Sequence, residues 1–306
     1  MNIKIALKPG LSAVMLVMAV QAYEAAETRV DLNVAYGMYS GLALSMDVYY
    51  PEKSNGYGVI FIHGSGWSSD VDLDARPLKD GEQTRIYGQP LVKAGYTVFA
   101  INHRAAPRFR YPAQVEDAQR AVRFVRHNAM KFGINPDRIG AVGGSSGGHL
   151  VSLLGVLDGK GAPEDKSPVN RESAKVQCVV ARAAPSDLVI MGRGRERVIA
   201  LFGIPLPQET QASEYRQFVD ASPVTHISPE DPPFLLLHGD ADKTVPFHQS
   251  EVMETALLKA GVKVKLVKVP GGGHGPRFDG AKNPPDYIGE MIRWLDQNLP
   301  AGQSNP

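Results

Sequence analysis

Residues 143–149 read Gly-Gly-Ser-Ser-Gly-Gly-His. They fall between a short apolar run at 138–142 and an apolar segment at 149–157 that is compatible with a helix. A Gly-x-Ser-x-Gly pattern in that setting constrains the fold strongly. Small residues let one serine sit on a strained strand-to-helix turn, with its hydroxyl lifted out of the backbone and aimed at a substrate. Such a turn needs an α/β sheet beneath it. The pattern fits the sequence twice: starting at Gly143 it selects Ser145, and starting at Gly144 it selects Ser146.

The rest of the chain supplies the sheet. Residues 58–62 and 96–101 are short apolar runs, as expected of strands buried on both faces of a largely parallel sheet. Leu44, Met46 and Val48 alternate with polar neighbours, as in a half-buried strand. Residues 114–132 are helical by period, with Val115, Ala118, Val122, Val125 and Ala129 at steps of three and four, and Gly133 as C-cap. Further strands are expected over 176–183, 234–237 and 262–269, and helices over 249–260 and 287–299. Strands alternating with helices imply a mostly parallel sheet covered on both faces. Residues 187–215 break that rhythm and are expected to form a small cap or lid. Their Arg193, Arg195 and Arg197 read as a solvated charged segment rather than the lining of an anionic substrate's path.

A chain of 306 residues, 43% hydrophobic and 21% charged, is sufficient for one large α/β domain. Its 33 basic and 32 acidic residues leave a net charge of +1, which gives no reason to expect nucleic acid or an anionic membrane as partner. The lone cysteine, Cys178, lies in an apolar run and reads as a buried structural thiol. The eight histidines lack a His-Glu-x-x-His spacing, and no Lys-Ser/Thr follows the glycine run as in a P-loop, so neither metal nor cofactor is expected. At the N-terminus Lys4 and Lys8 precede an apolar stretch, 11–20, too short to span a bilayer comfortably, and small residues follow. Residues 1–26 therefore read as a secretory signal peptide, and 27–306 as a catalytic domain working in a secreted or periplasmic setting. An uncleaved membrane anchor is the rival reading.

A serine hydroxyl is a poor nucleophile unless a base takes its proton, an acid orients the base, and donors await the oxyanion. On this kind of sheet the parts follow in the order Ser, Asp or Glu, His. His274 lies in Pro-Gly-Gly-Gly-His-Gly directly after the strand expected at 262–269, where flanking glycines let an imidazole enter a cleft. His238 ends an earlier strand and reads as a packed or turn-stabilising residue. Asp240 and Asp242 are both placed for the acid, and spacing alone does not separate them. His63-Gly64-Ser65-Gly66-Trp67, after the strand at 58–62, offers backbone N–H groups that can approach a substrate closely.

In order and spacing these segments resemble the α/β-hydrolase esterases, the group that includes hormone-sensitive-lipase-like esterases and related bacterial carboxylesterases, acetyl esterases and feruloyl esterases. The resemblance runs over about 44–299. Besides the motifs above it rests on Asp47-Val48-Tyr49-Tyr50-Pro51, Tyr111-Pro112-Ala113-Gln114 and Asn135-Pro136-Asp137-Arg138. Asn102 to Pro107 departs from the family's Tyr-Arg-Leu-Ala-Pro and is taken as structural. The resemblance implies an α/β-hydrolase fold with Ser145 as nucleophile, Asp242 as acid and His274 as base. It places oxyanion donors at the amides of Ser65, Gly66 and Ser146. Ser65 stands where glycine is usual but keeps its N–H, and Ser146 stands where alanine is usual. The implied activity is hydrolysis of short-chain acyl esters, acetyl or similar, with a small-molecule or carbohydrate ester as substrate. An amidase or peptidase of the same fold, aryl-formamidase or prolyl-peptidase-like, is the alternative.

Overall fold

In the computed structural model of the chain, residues 29–191 and 195–299 are described, so the expected signal peptide and Arg193 lie outside the described residues. Eight strands form one sheet: β1 Val30–Tyr39, β2 Leu42–Tyr49, β3 Gly58–Ile62, β4 Thr97–Ile101, β5 Ile139–Gly144, β6 Cys178–Arg182, β7 Phe234–Gly239 and β8 Val264–Val269. Their spatial order is β1-β2-β4-β3-β5-β6-β7-β8. β1 pairs antiparallel with β2, and β2 antiparallel with β4; the remaining pairs are parallel.

The strands from β3 to β7 are buried along their whole length, which is why they read as continuous apolar runs. Within them neighbours divide between two cores. Ile60 and Ile62 face one, Val59 and Phe61 the other. The helices are α1 Gln89–Lys93, α2 Ala113–His127, α3 Ala129–Phe132, α4 Ser146–Val156, α5 Pro168–Arg171, α6 Arg195–Phe202, α7 Ser213–Asp220, α8 His248–Lys259 and α9 Tyr287–Asn298. α2, α4 and α8 fill the first core with Val122, Leu150 and Met253. α1 and α9 fill the second with Leu91, Met291 and Leu295.

Three local features differ from the sequence expectations. The helix expected over 114–132 breaks at Asn128, whose side-chain amide caps the Phe124 carbonyl at 2.8 Å; α3 then ends at Gly133 with φ 67°. The helix after the glycine-serine run begins at Ser146, three residues before the expected start. β1 is an unanticipated edge strand, joined to β2 by a tight turn in which Gly41 has φ 82°. The irregular segment at 187–215 contains α6, the loop that follows it and the first residues of α7. In the Asn102–Pro107 segment, Arg104 is buried and bonds Asp117 through Nε and Nη2, the latter at 2.7 Å. Among the described residues no helix is long and apolar enough to cross a membrane.

Candidate active site

Ser145 lies at the junction of β5 and α4 with φ 55° and ψ −124°. A non-glycine residue held there stores on the order of 1–3 kcal/mol of strain. The surroundings enforce it. The turn is so tight that a Cβ on Gly147 would collide with the Ile62 carbonyl, and one on Gly143 with the backbone of Gly147. The Ser145 N–H donates to the Arg182 carbonyl at 2.8 Å, and its own carbonyl accepts from His149 N–H at 2.9 Å. Ser146, by contrast, is the first residue of α4 and is buried. The strained position therefore belongs to Ser145 and not to Ser146.

His274 comes from the loop after β8. Its Nε2 is 2.9 Å from Ser145 Oγ and its Nδ1 is 2.7 Å from Asp242 Oδ2. A carboxylate can only accept, so Nδ1 carries the proton and Nε2 is left free to receive the serine's. Asp242 Oδ1 accepts from the N–H groups of Thr244 and Val245 at 2.8 and 2.9 Å. Burial alone would raise the pKa of Asp242. Hydrogen bonds from His238 and His274, the charge His274 carries when protonated and the Val245 amide outweigh it and hold the carboxyl well below the usual carboxylate range. Asp240 does a different job. It accepts from Gly271 N–H at 2.7 Å and pairs with Lys268 at 3.4 Å, fixing the base of the loop. Of the two aspartates only Asp242 meets His274.

His238 is fully buried, as expected of a packed residue. Its Nδ1 meets Ser250 Oγ at 2.7 Å and its Nε2 the Val245 carbonyl at 3.0 Å. The Nε2–H must point at that carbonyl, and it also lies 3.3 Å from Asp242 Oδ2.

The three amides expected at the oxyanion are not equivalent. Gly66 N–H and Ser146 N–H have no hydrogen-bond partner among the described residues. Ser65 N–H does: it donates to Ser146 Oγ at 2.8 Å. The serine at 146 is the cause, because alanine at that position carries no acceptor. Ser65 Oγ is itself buried without a partner. Gly66 has φ 68° and Trp67 φ 58°, so the loop turns sharply here. Gln83 Oε1 holds Gly64 N–H at 3.1 Å.

His149 fixes the far end of that loop, a role its sequence context did not disclose. Its Nδ1 accepts from Trp67 Nε1 at 3.1 Å, and its Nε2 donates to the Ala221 carbonyl at 2.7 Å. Burial lowers its pKa to about 4, so the ring is neutral. His63 is likewise lowered to about 4 by burial and by the charge of Arg76. With Arg76, Glu82, Gln83 and Pro276 it borders a cavity of about 370 Å³ beside the His63–Trp67 loop. Arg197 on α6 is exposed, yet its Nη1 lies 3.4 Å from the Ser65 carbonyl, so this arginine reaches the loop rather than only solvent. Cys178 is fully buried, and burial pushes its thiol far above the usual range.

A mostly parallel sheet with a strained serine at the end of a central strand, and an imidazole and a carboxylate delivered by later strands, defines the class: an α/β-hydrolase. The BD-FAE family model matches residues 46–257, and the chain belongs to that family. The chain is 30% identical over 226 residues to a Mycobacterium tuberculosis protein named "Probable carboxylic ester hydrolase LipM", an alignment covering 72% of this chain and 50% of the relative. The chain thus spans about half the length of the curated relatives it matches. Among solved structures it is similar to a truncated form of a carbohydrate esterase from gut microbiota, with TM-score 0.73 and 30% identity over 88% of this chain and 96% of that one. It is also similar to an acetyl ester-xyloside bifunctional hydrolase from Caldicellulosiruptor lactoaceticus, with TM-score 0.72 and 25% identity over 87% and 95% of the two chains.

Proposed function

We propose that the protein is a serine carboxylic-ester hydrolase for short-chain acyl esters, including acyl groups carried on carbohydrates. The observation that carries this reading is the unbroken line from Ser145 Oγ through His274 to Asp242. Ser145 Oγ attacks the ester carbonyl while His274 Nε2 takes its proton. Asp242 holds the imidazole in the required tautomer and stabilises the imidazolium that forms. The amides of Gly66, Ser146 and Ser65 receive the oxyanion, Ser65 by exchanging its bond to Ser146 Oγ for one to the substrate. His274 then protonates the leaving alcohol and activates the water that releases the acid.

The names of the similar proteins support an ester as the bond cleaved: a probable carboxylic ester hydrolase, a carbohydrate esterase and an acetyl ester-xyloside bifunctional hydrolase. Ser145→Ala is expected to abolish hydrolysis of p-nitrophenyl acetate and labelling by a fluorophosphonate while leaving the fold intact by circular dichroism. Retained hydrolysis in Ser145→Ala, with loss in Ser146→Ala, would overturn the assignment. A series of p-nitrophenyl esters of rising acyl length, run beside acetylated xylan, methyl ferulate and an amide of the preferred acyl group, tests the substrate class.

A further inference from the structure

We propose that Arg182 and Tyr87 are positioning residues that clamp the His274 loop from beneath. The inference rests on the reading of His274 as the base. Arg182 is the last residue of β6, and its side chain is only 2% exposed. Its Nη2 donates to the carbonyl of His274 at 2.6 Å and also to that of Gly275. Tyr87, from the turn of π-helix at Thr84–Gly88, donates its hydroxyl to the next carbonyl, that of Pro276, at 2.6 Å. Three consecutive carbonyls, beginning at the base itself, are thus held by two buried side chains.

The chemistry of Arg182 makes this more than packing. A buried guanidinium is ordinarily paired with a carboxylate. Among the described residues none lies within ion-pairing distance of Arg182. Its guanidinium instead lies over the Phe278 ring, 4.6 Å from the centroid, and Phe278 belongs to the same loop. Both acceptors of its Nη2 are loop carbonyls, and its Nε and Nη1 are buried without partners among the described residues. If the loop lifts, the charge loses both acceptors and the ring together. Docking of the loop is therefore coupled to satisfaction of a buried charge.

The backbone of Arg182 acts on the other reactant as well, because its carbonyl accepts the Ser145 N–H. One residue thereby sets the height of the nucleophile through its main chain and that of the base through its side chain. The 2.9 Å approach of His274 Nε2 to Ser145 Oγ is the distance at stake. A displacement of about 1 Å at such a contact can lower a rate by roughly 100-fold.

The test uses the full chain and the variants Arg182→Met, Arg182→Lys and Tyr87→Phe. The readouts are kcat and KM for p-nitrophenyl acetate, the rate of fluorophosphonate labelling and Tm. Arg182→Met is expected to lower kcat roughly 100-fold with KM within twofold. Arg182→Lys recovers part of the loss, because an ammonium still donates to a loop carbonyl. Tyr87→Phe, which removes one hydrogen bond, lowers kcat roughly fivefold. Labelling slows in step with kcat. Arg182→Lys and Tyr87→Phe that keep wild-type kcat and labelling while Tm falls would show a purely structural role and overturn the inference. Those two variants decide the matter if Arg182→Met does not fold. A wild-type chain inert to both ester and probe would overturn the reading of the site, whereas an active wild type matched by its variants overturns the clamp alone.

Discussion

Ser146→Ala separates two effects that the structure places on one hydroxyl. Ser146 Oγ accepts Ser65 N–H at 2.8 Å in a position that is 1% exposed. An oxyanion that uses this N–H must take it from the hydroxyl. An internal neutral hydrogen bond is worth about 0.5–1.5 kcal/mol net. That amount is subtracted from whatever Ser65 contributes to the transition state. Alanine removes the competitor and leaves the amide of residue 146 where it was. The barrier should then fall by about 1 kcal/mol, raising kcat roughly fivefold. In the resting protein the same change removes this part-buried hydrogen bond, at about 0.5–1.5 kcal/mol of stability. For a domain of this size each kcal/mol corresponds to roughly 2–4 °C in Tm. The variant is expected to be faster and less stable, checked by saturation kinetics with p-nitrophenyl acetate and by calorimetry. A tenfold fall in kcat at unchanged KM would refute the reasoning, because the hydroxyl would then be assisting the oxyanion or locking the loop.

Two further outcomes concern Asp242 and His149. Asp242→Asn keeps the shape of the side chain but cannot both accept from His274 Nδ1 and carry the opposing charge, so kcat should fall about 10³–10⁴-fold with little change in KM; a loss under tenfold would contradict the role given to Asp242. His149 makes stability depend on pH. Burial lowers its pKa from 6.5 to about 4. The unfolded chain therefore gains a proton as pH falls through about 6.5 while the folded chain does not until about 4. Stability from this group is complete above about 6.5 and is lost progressively down to about 4, amounting to about 2 kcal/mol at pH 5. His63, also lowered to about 4 but partly exposed, adds in the same direction. Urea unfolding of the wild type at pH 7.5 and 5.0 measures the drop. His149→Gln should show a shallower one, and equal slopes in the two proteins would discount His149.

The sheet was legible because its central strands are buried on both faces. Residues 58–62 and 234–237 had to be apolar throughout, and the structure places β3 and β7 there. β1 was not legible for the opposite reason. It is an edge strand whose Leu32 and Met38 are exposed, so its alternation does not report a buried face. The break at Asn128 was hidden because Ala129 and Phe132 continue the apolar period on the far side of the cap. Contacts between distant segments were hidden altogether. The Ser65–Ser146 bond spans 81 positions and the Arg182–His274 bond 92, and no local pattern encodes either. The one available signal was Arg182 itself, a charge at the end of an otherwise apolar strand.

The choice between Ser145 and Ser146 shows where reading a pattern stops and conformation decides. Gly-x-Ser-x-Gly fits both registers, and both serines lie on the same tight turn. Backbone geometry allows only one of them to take the strained position, because the next residue already has to start α4. The residue at φ 55° projects its hydroxyl toward His274. The residue beginning the helix is turned inward, and its hydroxyl finds Ser65 N–H. The second serine is therefore neither a spare nucleophile nor neutral filler. In the proposed mechanism it offers the oxyanion its amide and, through its side chain, competes with the oxyanion for a neighbouring one. An alanine there would supply the first effect without the second. On this reading the rate gain expected for Ser146→Ala measures how much oxyanion stabilisation the chain gives up to keep the Ser65 amide satisfied at rest.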